Sequence, residues 1–264
     1  MYFFKKMFFF SCFFMFFGAF LLKSSVFFSF FDFYKEFPTL NDKNVAFKSG
    51  EKLKYKISYG KQGANQGLLL AAHATLSVQK TTLDMNRVVY KLSGFGKTTS
   101  FFSLFLKVKH SYVSFVDTIN LKAIKSSMKI KEGKYYNSDT LIFSQETNIN
   151  DMLGTFYKLR TVPQKDIIQQ DTIFFSYYYN KNIYDSYFIN HGQEFIDTKF
   201  GEMQTIKCEP LLERGRIFKE NHGAFVWITD DNMHIPIKLE IPILIGSIYV
   251  NLVSYENTFF NLTN

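Results

Sequence analysis

Three side chains near the end of the sequence have the types and spacing that general acid–base chemistry needs: Asp230, Asp231 and His234. Carboxylates and an imidazole a few residues apart can take up and release a proton when the fold brings them into one cleft. A hydrolase built on them would also require Arg160 or Glu51 to lie in that cleft. The same Asp-Asp-Asn run, between two segments of alternating hydrophobicity, is typical of a β-turn, and the turn is the interpretation we favour.

The other residues with reactive side chains form no catalytic or metal-binding motif. The five histidines stand singly, without H-E-x-x-H or H-x-H spacing, so we expect no metal site and no cofactor. Gly94-Phe95-Gly96-Lys97 is similar to part of a phosphate-binding loop, but Lys91 stands where that loop needs its first glycine. We interpret the segment as a glycine-rich hairpin, and Cys208 as a buried structural thiol. These patterns favour a non-enzymatic protein.

The elements that must position these residues are mostly strands. In segment 51–59 apolar residues alternate with lysine and serine, a period of two that predicts a half-buried strand. Further strands are predicted at 72–79, 88–92, 106–112, 124–131, 134–143, 172–179, 184–189, 195–199, 204–209, 224–229, 235–239 and 248–252. Turns are predicted at the glycines 94 and 96 and at 191–194.

One segment breaks the strand pattern. Asp151 is placed to cap a short helix, with Arg160 in its last turn and Val162-Pro163 after it. The sequence therefore predicts a mainly β fold: an antiparallel curved sheet, sandwich or half-barrel, with one short central helix near 151–160.

The first 31 residues differ in composition from the rest of the chain. They hold 14 of the 33 phenylalanines, and Lys5 and Lys6 precede an uncharged run over residues 7–22. This is the layout of a secretory signal peptide. The apolar stretch to Phe31 is also long enough for an uncleaved membrane anchor, which would make the membrane a partner of this segment. Lipidation at Cys12 is a third alternative.

Each of these alternatives predicts export across the inner membrane. The protein would then be periplasmic, or anchored in the inner membrane and facing the periplasm. We divide the rest of the chain into a linker at 32–46, a single β-rich domain at 47–257 and a C-terminal tail at 258–264. Without the leader the net charge falls from +8 to +5, and no run of five basic residues occurs, so we expect no nucleic-acid partner.

Several segments together resemble a family of exported bacterial proteins, domain of unknown function 3108. They are Phe47-x-x-Gly50-Glu51-x-Leu53-x-Tyr55, the Asp151-to-Arg160 helix, and the C-terminal block from Val226 to Tyr255. The family-motif positions are Gly50, Glu51, Tyr55, Asp151, Arg160, Trp227, Pro236 and Gly246. The resemblance implies an exported β-rich domain without established activity or catalytic residues. At the level of fold it implies similarity to the half-barrels of lipoprotein carriers.

The functional hypothesis is a non-enzymatic envelope protein that binds an apolar or polysaccharide ligand, or an envelope protein partner. A purely structural scaffold and an envelope hydrolase using residues 230–234 are the alternatives. An apolar, unfilled concave face of the sheet would support lipid binding, and a fully packed core would count against it.

Overall fold

The computed structural model describes residues 46–64, 66–144, 148–211, 223–243, 245–259 and 261–262. Within these ranges thirteen strands form one open curved sheet. This confirms the predicted mainly β, antiparallel fold with a short central helix. The predicted leader at 1–31, and the linker at 32–46 except its last residue, lie outside the described residues. Within the described residues, no helix is long and apolar enough to cross a membrane.

Two antiparallel meanders make up the sheet. The first contains β1 Lys52–Gly60, β2 Leu69–Leu83, β3 Arg87–Thr98, β4 Val108–Asp117, β5 Ala123–Glu132 and β6 Tyr135–Ile142. The second contains β8 Thr172–Tyr179, β9 Asn182–Thr198, β10 Gly201–Pro210, β11 Phe225–Thr229, β12 Pro236–Pro242 and β13 Ser247–Glu256. The short strand β7, Asn150–Asp151, pairs in parallel with β8 at the edge.

The two meanders join in the middle of the sheet, where β1 pairs with β13. The chain therefore runs from the centre to the β6 edge, crosses over to the β7 edge, and returns strand by strand to the centre. The crossover contains three short elements: β7, helix α2 Met152–Leu159 and helix α3 Gln164–Gln169. A further short helix, α1 Ser100–Ser103, lies between β3 and β4.

Alternation of side chains gives the sheet two different faces. In β4 the residues from Val108 to Val116 are buried at every second position, and those between them are exposed or half-buried. We call the side with the buried apolar residues the inner face; α2 packs against it, mainly at β3, β4, β7 and β8. The opposite side, rich in lysine, is the outer face.

Asp151 begins α2 as its N-cap, as predicted. Its Oδ1 accepts hydrogen bonds from the backbone N–H groups of Leu153 and Gly154 at 3.0 and 3.2 Å. A side chain at Gly154 would be crowded, since an added Cβ would lie 3.2 Å from Ser114 Oγ on β4. The glycine thus allows the first turn of α2 to lie close to the sheet.

The sheet curls far enough to bring its two edges together. Nδ2 of Asn137, in β6, donates to Oδ1 of Asn180, in the β8–β9 turn, at 3.3 Å. The rings of Phe143 and Tyr178 meet edge to face at 6.1 Å. The curvature encloses the inner face around α2.

Two turn predictions are wrong. Gly94 and Gly96 lie inside β3, where they pair with Tyr112 and His110 of β4. Both glycines face inward opposite a large ring. Because they have no side chain, they leave space for these rings, and the strand continues through them. Residues 191–194 lie inside the 17-residue strand β9, beside a bulge in its pairing with β10, where Gly192 has a φ of 90°.

We expect Gly246→Ala to destabilise the protein strongly. Its φ is +77°, and an added Cβ would lie 2.4 Å from the carbonyl oxygen of Gly60 in the β1–β13 pair. Backbone strain and this clash together should lower the free energy of unfolding by about 3 kcal/mol or more. Urea unfolding followed by circular dichroism measures the change.

Gly63→Ala is the matched control, since Gly63 has a φ of +75° and no atom within 4 Å of an added Cβ. It carries the strain without the clash and should cost about 1 kcal/mol. Equal losses in the two variants would contradict the assignment of the larger cost to the Gly60 contact.

Candidate functional site

The centre of the candidate site is a buried ion pair between Arg160, at the end of α2, and Glu51, just before β1. Nη1 and Nη2 of Arg160 donate to Oε1 and Oε2 of Glu51 at 2.7 and 2.9 Å. Both side chains are at least 97% buried. A two-point contact between guanidinium and carboxylate fixes orientation as well as charge.

The rest of the guanidinium of Arg160 holds two further parts of the chain. Nε donates to the carbonyl oxygen of Met233 at 3.0 Å, and Nη2 donates to that of Ala46 at 3.2 Å. Its Cζ lies 5.7 and 5.2 Å from the ring centroids of Phe47 and Tyr157, so that both aromatic faces contribute to its stabilisation. One side chain therefore connects α2, the start of β1 and the β11–β12 turn.

The carboxylate of Glu51 offsets the effect of burial on the charge of Arg160. Burial alone would lower the pKa of Arg160, but the adjacent Glu51 carboxylate raises it above the ordinary value of an arginine. The guanidinium therefore remains a cation throughout the working pH range.

His234 lies directly beside the ion pair. It is 98% buried, and its Nδ1 lies 2.9 Å from the carbonyl oxygen of Arg160. A carbonyl oxygen can only accept, so Nδ1 is the donor and Nε2 carries the lone pair of the neutral ring. Burial lowers the pKa of His234, which favours this neutral form. Nε2 is buried and has no hydrogen-bond partner among the described residues.

Asp231 lies in the turn between β11 and β12 and organises it. Its Oδ1 accepts hydrogen bonds from Thr229 Oγ1 at 2.7 Å and from the backbone N–H groups of Met233 and His234 at 2.8 and 3.2 Å. Asp230 points elsewhere: it accepts from the side-chain amides of Gln164 and Gln193 at 2.6 and 2.5 Å.

The structure thus brings Asp231, His234, Arg160 and Glu51 into one connected network, while Asp230 lies at its side. The carboxylate of Glu51 is taken up by Arg160, and that of Asp231 by a hydroxyl and two N–H groups. The network holds the turn and the ion pair in place, and its buried Nε2 of His234 has no hydrogen-bond partner among the described residues.

Asp151 is a second buried carboxylate, on the other end of α2. Its Oδ2 accepts a 2.5 Å hydrogen bond from Ser114 Oγ on β4, in addition to the two N–H bonds of the helix cap. Burial raises the pKa of Asp151 to about 6, against the opposing effect of these hydrogen bonds. The group is therefore poised to titrate while the protein remains folded.

Three of the other family-motif positions lie around the ion pair or close to the central strands. The hydroxyl of Tyr55 donates to the carbonyl oxygen of Pro236 at 3.1 Å, which ties β1 to the start of β12. Gly50 has a φ of +95° and places Glu51 at the entry to β1. Gly246 closes the turn before β13 against Gly60.

Trp227 lies away from this network, on the outer face. Its indole N–H donates to the carboxylate of Glu194, and the ammonium groups of Lys207 and Lys238 lie 5.3 and 4.7 Å from its ring centroids. The residue is a cation–π centre between strands β10 and β12.

An apolar cavity of about 120 Å³ adjoins the ion pair and His234. Helix α2 forms one wall and the inner face of β10 to β13 forms the other. The helix contributes Met152, Phe156 and Leu159; the strands contribute Cys208, Val226, Leu239 and Val250; Arg160, His234 and Tyr55 lie among the remaining lining residues. Burial raises the pKa of the Cys208 thiol to about 12, so it remains protonated and inert.

The described residues contain no group of three His, Cys, Asp or Glu side chains that could hold a metal ion.

The model of one protein family, described as "Protein of unknown function (DUF3108)", matches residues 54–150 and 146–253. The chain belongs to this family. The two matched segments correspond to the two meanders, with the crossover where they meet. No curated protein sequence matches the chain.

Among the solved structures that are similar to this chain, two come from proteins of other descriptions. One is a β-barrel-like protein of domain of unknown function DUF1849 from Brucella abortus, with 7% identity, a TM-score of 0.42, and coverage of 78% of this chain and 97% of that one. The other is described as a putative exported protein with YmcC-like fold from Bacteroides fragilis NCTC 9343. It has 11% identity, a TM-score of 0.30, and coverage of 80% and 97%.

The sequence does not reveal the cavity. Its lining residues belong to strands that are far apart along the chain, and each one has the pattern of an ordinary core position. The sequence also does not predict the unpartnered Nε2 of His234, because this feature depends on the carbonyl oxygen of Arg160 binding the other ring nitrogen.

We expect Arg160→Met and Glu51→Gln each to lower the free energy of unfolding by about 3–5 kcal/mol, because each leaves a buried partner uncompensated. The double variant Arg160→Met/Glu51→Gln should lose less than the sum of the two, and urea unfolding of all three measures the coupling. The solvent-exposed pair Lys54–Glu256, in which Nζ lies 2.8 Å from Oε1, is the control: Lys54→Met should leave the free energy of unfolding nearly unchanged. Additive losses at Arg160 and Glu51 would contradict the coupling.

The raised pKa of Asp151 predicts a pH-dependent stability. Its carboxyl binds a proton more readily in the folded protein than in the unfolded chain, where the pKa is about 4. Stability is therefore lost as the pH rises from about 4 to about 6. Asp151→Asn retains the cap oxygen but does not titrate. Between about pH 4 and pH 6, the free energy of unfolding of the wild type should therefore fall by about 2–3 kcal/mol relative to that of this variant.

Asp117→Asn is the control of opposite sign. Burial acts to raise the pKa of Asp117, but the hydrogen bond from Arg87 and two backbone N–H groups lower it below its usual value. The wild type should therefore gain stability over this variant as the pH rises through the acid range. A wild-type advantage over Asp151→Asn that also grows with pH would refute the assignment for Asp151.

Proposed function

We propose that the protein is exported to the cell envelope and there binds the apolar chain of an amphipathic molecule, without catalysing a reaction. The support for export is the sequence of residues 1–31, with two lysines before an uncharged apolar run. The support for binding is the cavity between α2 and the inner face of β10 to β13, and this observation carries the proposal.

The chemistry of the cavity favours an apolar guest. Its walls are mostly aliphatic, aromatic and thiol side chains, and burial of apolar surface in such a place stabilises a complex by about 25 cal/mol per Å². The volume is of the same order as the cavity of about 150 Å³ that accommodates benzene in an engineered protein core. A polysaccharide would need many polar partners along these walls, so the lining disfavours one.

His234 gives the guest a preferred end. His234 lines the cavity beside the Arg160–Glu51 pair, and its Nε2 is a buried acceptor without a hydrogen-bond partner among the described residues. An unpaired buried acceptor is costly, so a hydroxyl or protonated carboxyl group that donates to it would be favoured there. The preferred ligand is therefore an apolar chain that carries a hydrogen-bond donor.

The hydrolase alternative receives less support from the same geometry. General acid–base chemistry needs a carboxylate free to exchange protons with a substrate, and both oxygens of Glu51 and Oδ1 of Asp231 are engaged in the ion pair and the turn.

Titration of the full chain with the probe 1-hexanol, a short apolar chain that carries a hydrogen-bond donor, tests the proposal. Isothermal titration calorimetry should show saturable binding with a negative heat-capacity change, and hexane, which lacks the hydroxyl group, should bind more weakly. Val226→Phe, which extends a ring from β11 into the cavity, should raise the dissociation constant at least about tenfold, since about 1.4 kcal/mol of lost binding energy has this effect.

Val113→Phe is the matched control, because Val113 is a half-buried residue on the outer face of β4. It should leave the dissociation constant within about twofold of the wild type. Urea unfolding of both variants verifies that they remain folded. Equal probe binding by wild type and Val226→Phe would refute the cavity as the binding site.

A further inference from the structure

Five basic residues form a continuous row across the outer face of the first meander. The row runs Lys131, Lys109, Lys97, His73, Lys56, and each residue is the direct cross-strand partner of the next, from β5 through β4, β3 and β2 to β1. All five are exposed. Directly opposed residues of antiparallel strands share one face and lie within about 5.5 Å, so these side chains are neighbours. We call this set the basic row.

Among the described residues, no ion pair joins the basic row to a carboxylate. The next row along the same strands consists of Thr75, Phe95, Ser111 and Lys129. Like charges directly opposite each other destabilise a sheet, so the arrangement is unfavourable in the free protein. Partial burial lowers the pKa of His73, and the two flanking ammonium groups of Lys56 and Lys97 lower it further, so the four lysines carry the charge of the row. An anion placed against the row would relieve this repulsion.

A group of exposed apolar residues lies at the end of the sheet beside the basic row. In and after α1, Phe101, Leu104 and Phe105 are spaced i, i+3, i+4 and point away from the core, whereas Phe102 is buried beneath them. Leu104 is 81% exposed and Phe101 62% exposed. Leu68, before β2, is 87% exposed. We call Leu68, Phe101, Leu104 and Phe105 the apolar tip.

The apolar tip and the basic row are held next to each other by the backbone. Thr99 donates its N–H to the carbonyl oxygen of Ala71 at 2.9 Å, which joins the α1 loop to the start of β2. Lys97 is the last residue but one of β3 and Lys109 is the second of β4, so both flank that loop directly. Gly133, in the turn after Lys131, donates to the carbonyl oxygen of Lys107 at 2.8 Å.

The geometry points to a membrane-docking site: the apolar tip inserts into the interfacial region of an anionic phospholipid bilayer, and the basic row binds the phosphate groups of its lipids. This function is independent of what occupies the inner cavity. Exposed Phe and Leu side chains surrounded by lysine match the boundary between acyl chains and head groups, where apolar groups are buried and long basic side chains reach the phosphates.

Charge complementarity and the apolar tip together favour a bilayer over other anionic occupants. A soluble polyanion, such as an acidic polysaccharide, would satisfy the basic row but would leave Phe101, Leu104 and Phe105 in water. A fluid anionic bilayer satisfies both and needs no surface shaped to fit the loop.

Depth-dependent quenching in the full chain tests this site. Leu104→Trp places an indole in the apolar tip, and Ile119→Trp places one at an exposed apolar position in the β4–β5 loop, at the opposite end of the sheet. Each variant is mixed with vesicles of phosphatidylcholine and phosphatidylglycerol (3:1) in which the phosphatidylcholine is brominated. The signal of Trp227 is subtracted with the wild type. Any effect of residues 1–31 is shared by both variants.

We expect quenching of Leu104→Trp to exceed that of Ile119→Trp at least about threefold, and to fall when phosphatidylglycerol is omitted or the ionic strength is raised. In the Leu104→Trp background, Lys97→Gln/Lys109→Gln should weaken vesicle binding at least about tenfold. Lys91→Gln/Lys125→Gln is the matched control, because it removes the same charge from the outer face at its far end. It should change binding less than about threefold.

Equal quenching of the two tryptophan variants would overturn the proposal, because the apolar tip would then have no preferred contact with lipid. Equal effects of the two lysine pairs would overturn the role of the basic row. A response of Leu104→Trp to dextran sulfate but not to vesicles would identify a soluble polyanion as the occupant and would also overturn it.

Discussion

The bidentate contact between Arg160 and Glu51 is the interaction on which the rest of this structure depends. Glu51 leads into β1, the strand at which the two meanders meet, and Arg160 ends the crossover helix that links their outer edges. Through Met233 and Ala46 the same guanidinium fixes the β11–β12 turn and the segment before β1. A buried charge is tolerated only when it is paired and hydrogen-bonded, and here Arg160 and its counter-charge Glu51 lie 109 residues apart along the chain.

The cavity follows from how the crossover covers the sheet. Helix α2 has only eight residues and packs mainly on β3, β4, β7 and β8, held there by its Asp151 cap on Ser114. The curled sheet continues beyond the helix to β10 to β13, where Cys208, Val226 and Leu239 face the space beside it. A short helix inside a wide sheet cannot fill the whole inner face, and the ion pair and His234 give the resulting void a polar end.

Local periodicity was sufficient to predict the strands, the turn at Asp230–Asp231 and the helix capped by Asp151, because each depends on neighbouring residues. Local periodicity wrongly predicted a turn at Gly94 and Gly96. These glycines do not interrupt β3, where they pair with Tyr112 and His110 of β4. It also missed α3 and the bulge at Gly192. The contacts of Arg160 and Nε2 of His234, and the alignment of lysines into one row, depend on register across several strands, which no single segment encodes.

The pairing of β1 with β13 also has a kinetic meaning. Lys52 opposes Glu256 and Tyr59 opposes Ile248, so the central ladder of the sheet closes between residues about 200 positions apart. Contacts of such long range make folding slow, since the entropy of closing the intervening chain is lost before the ladder forms. The first meander can form hairpins early, but Glu51 has no counter-charge until α2 follows it. The protein therefore completes its core only after its last strand is available.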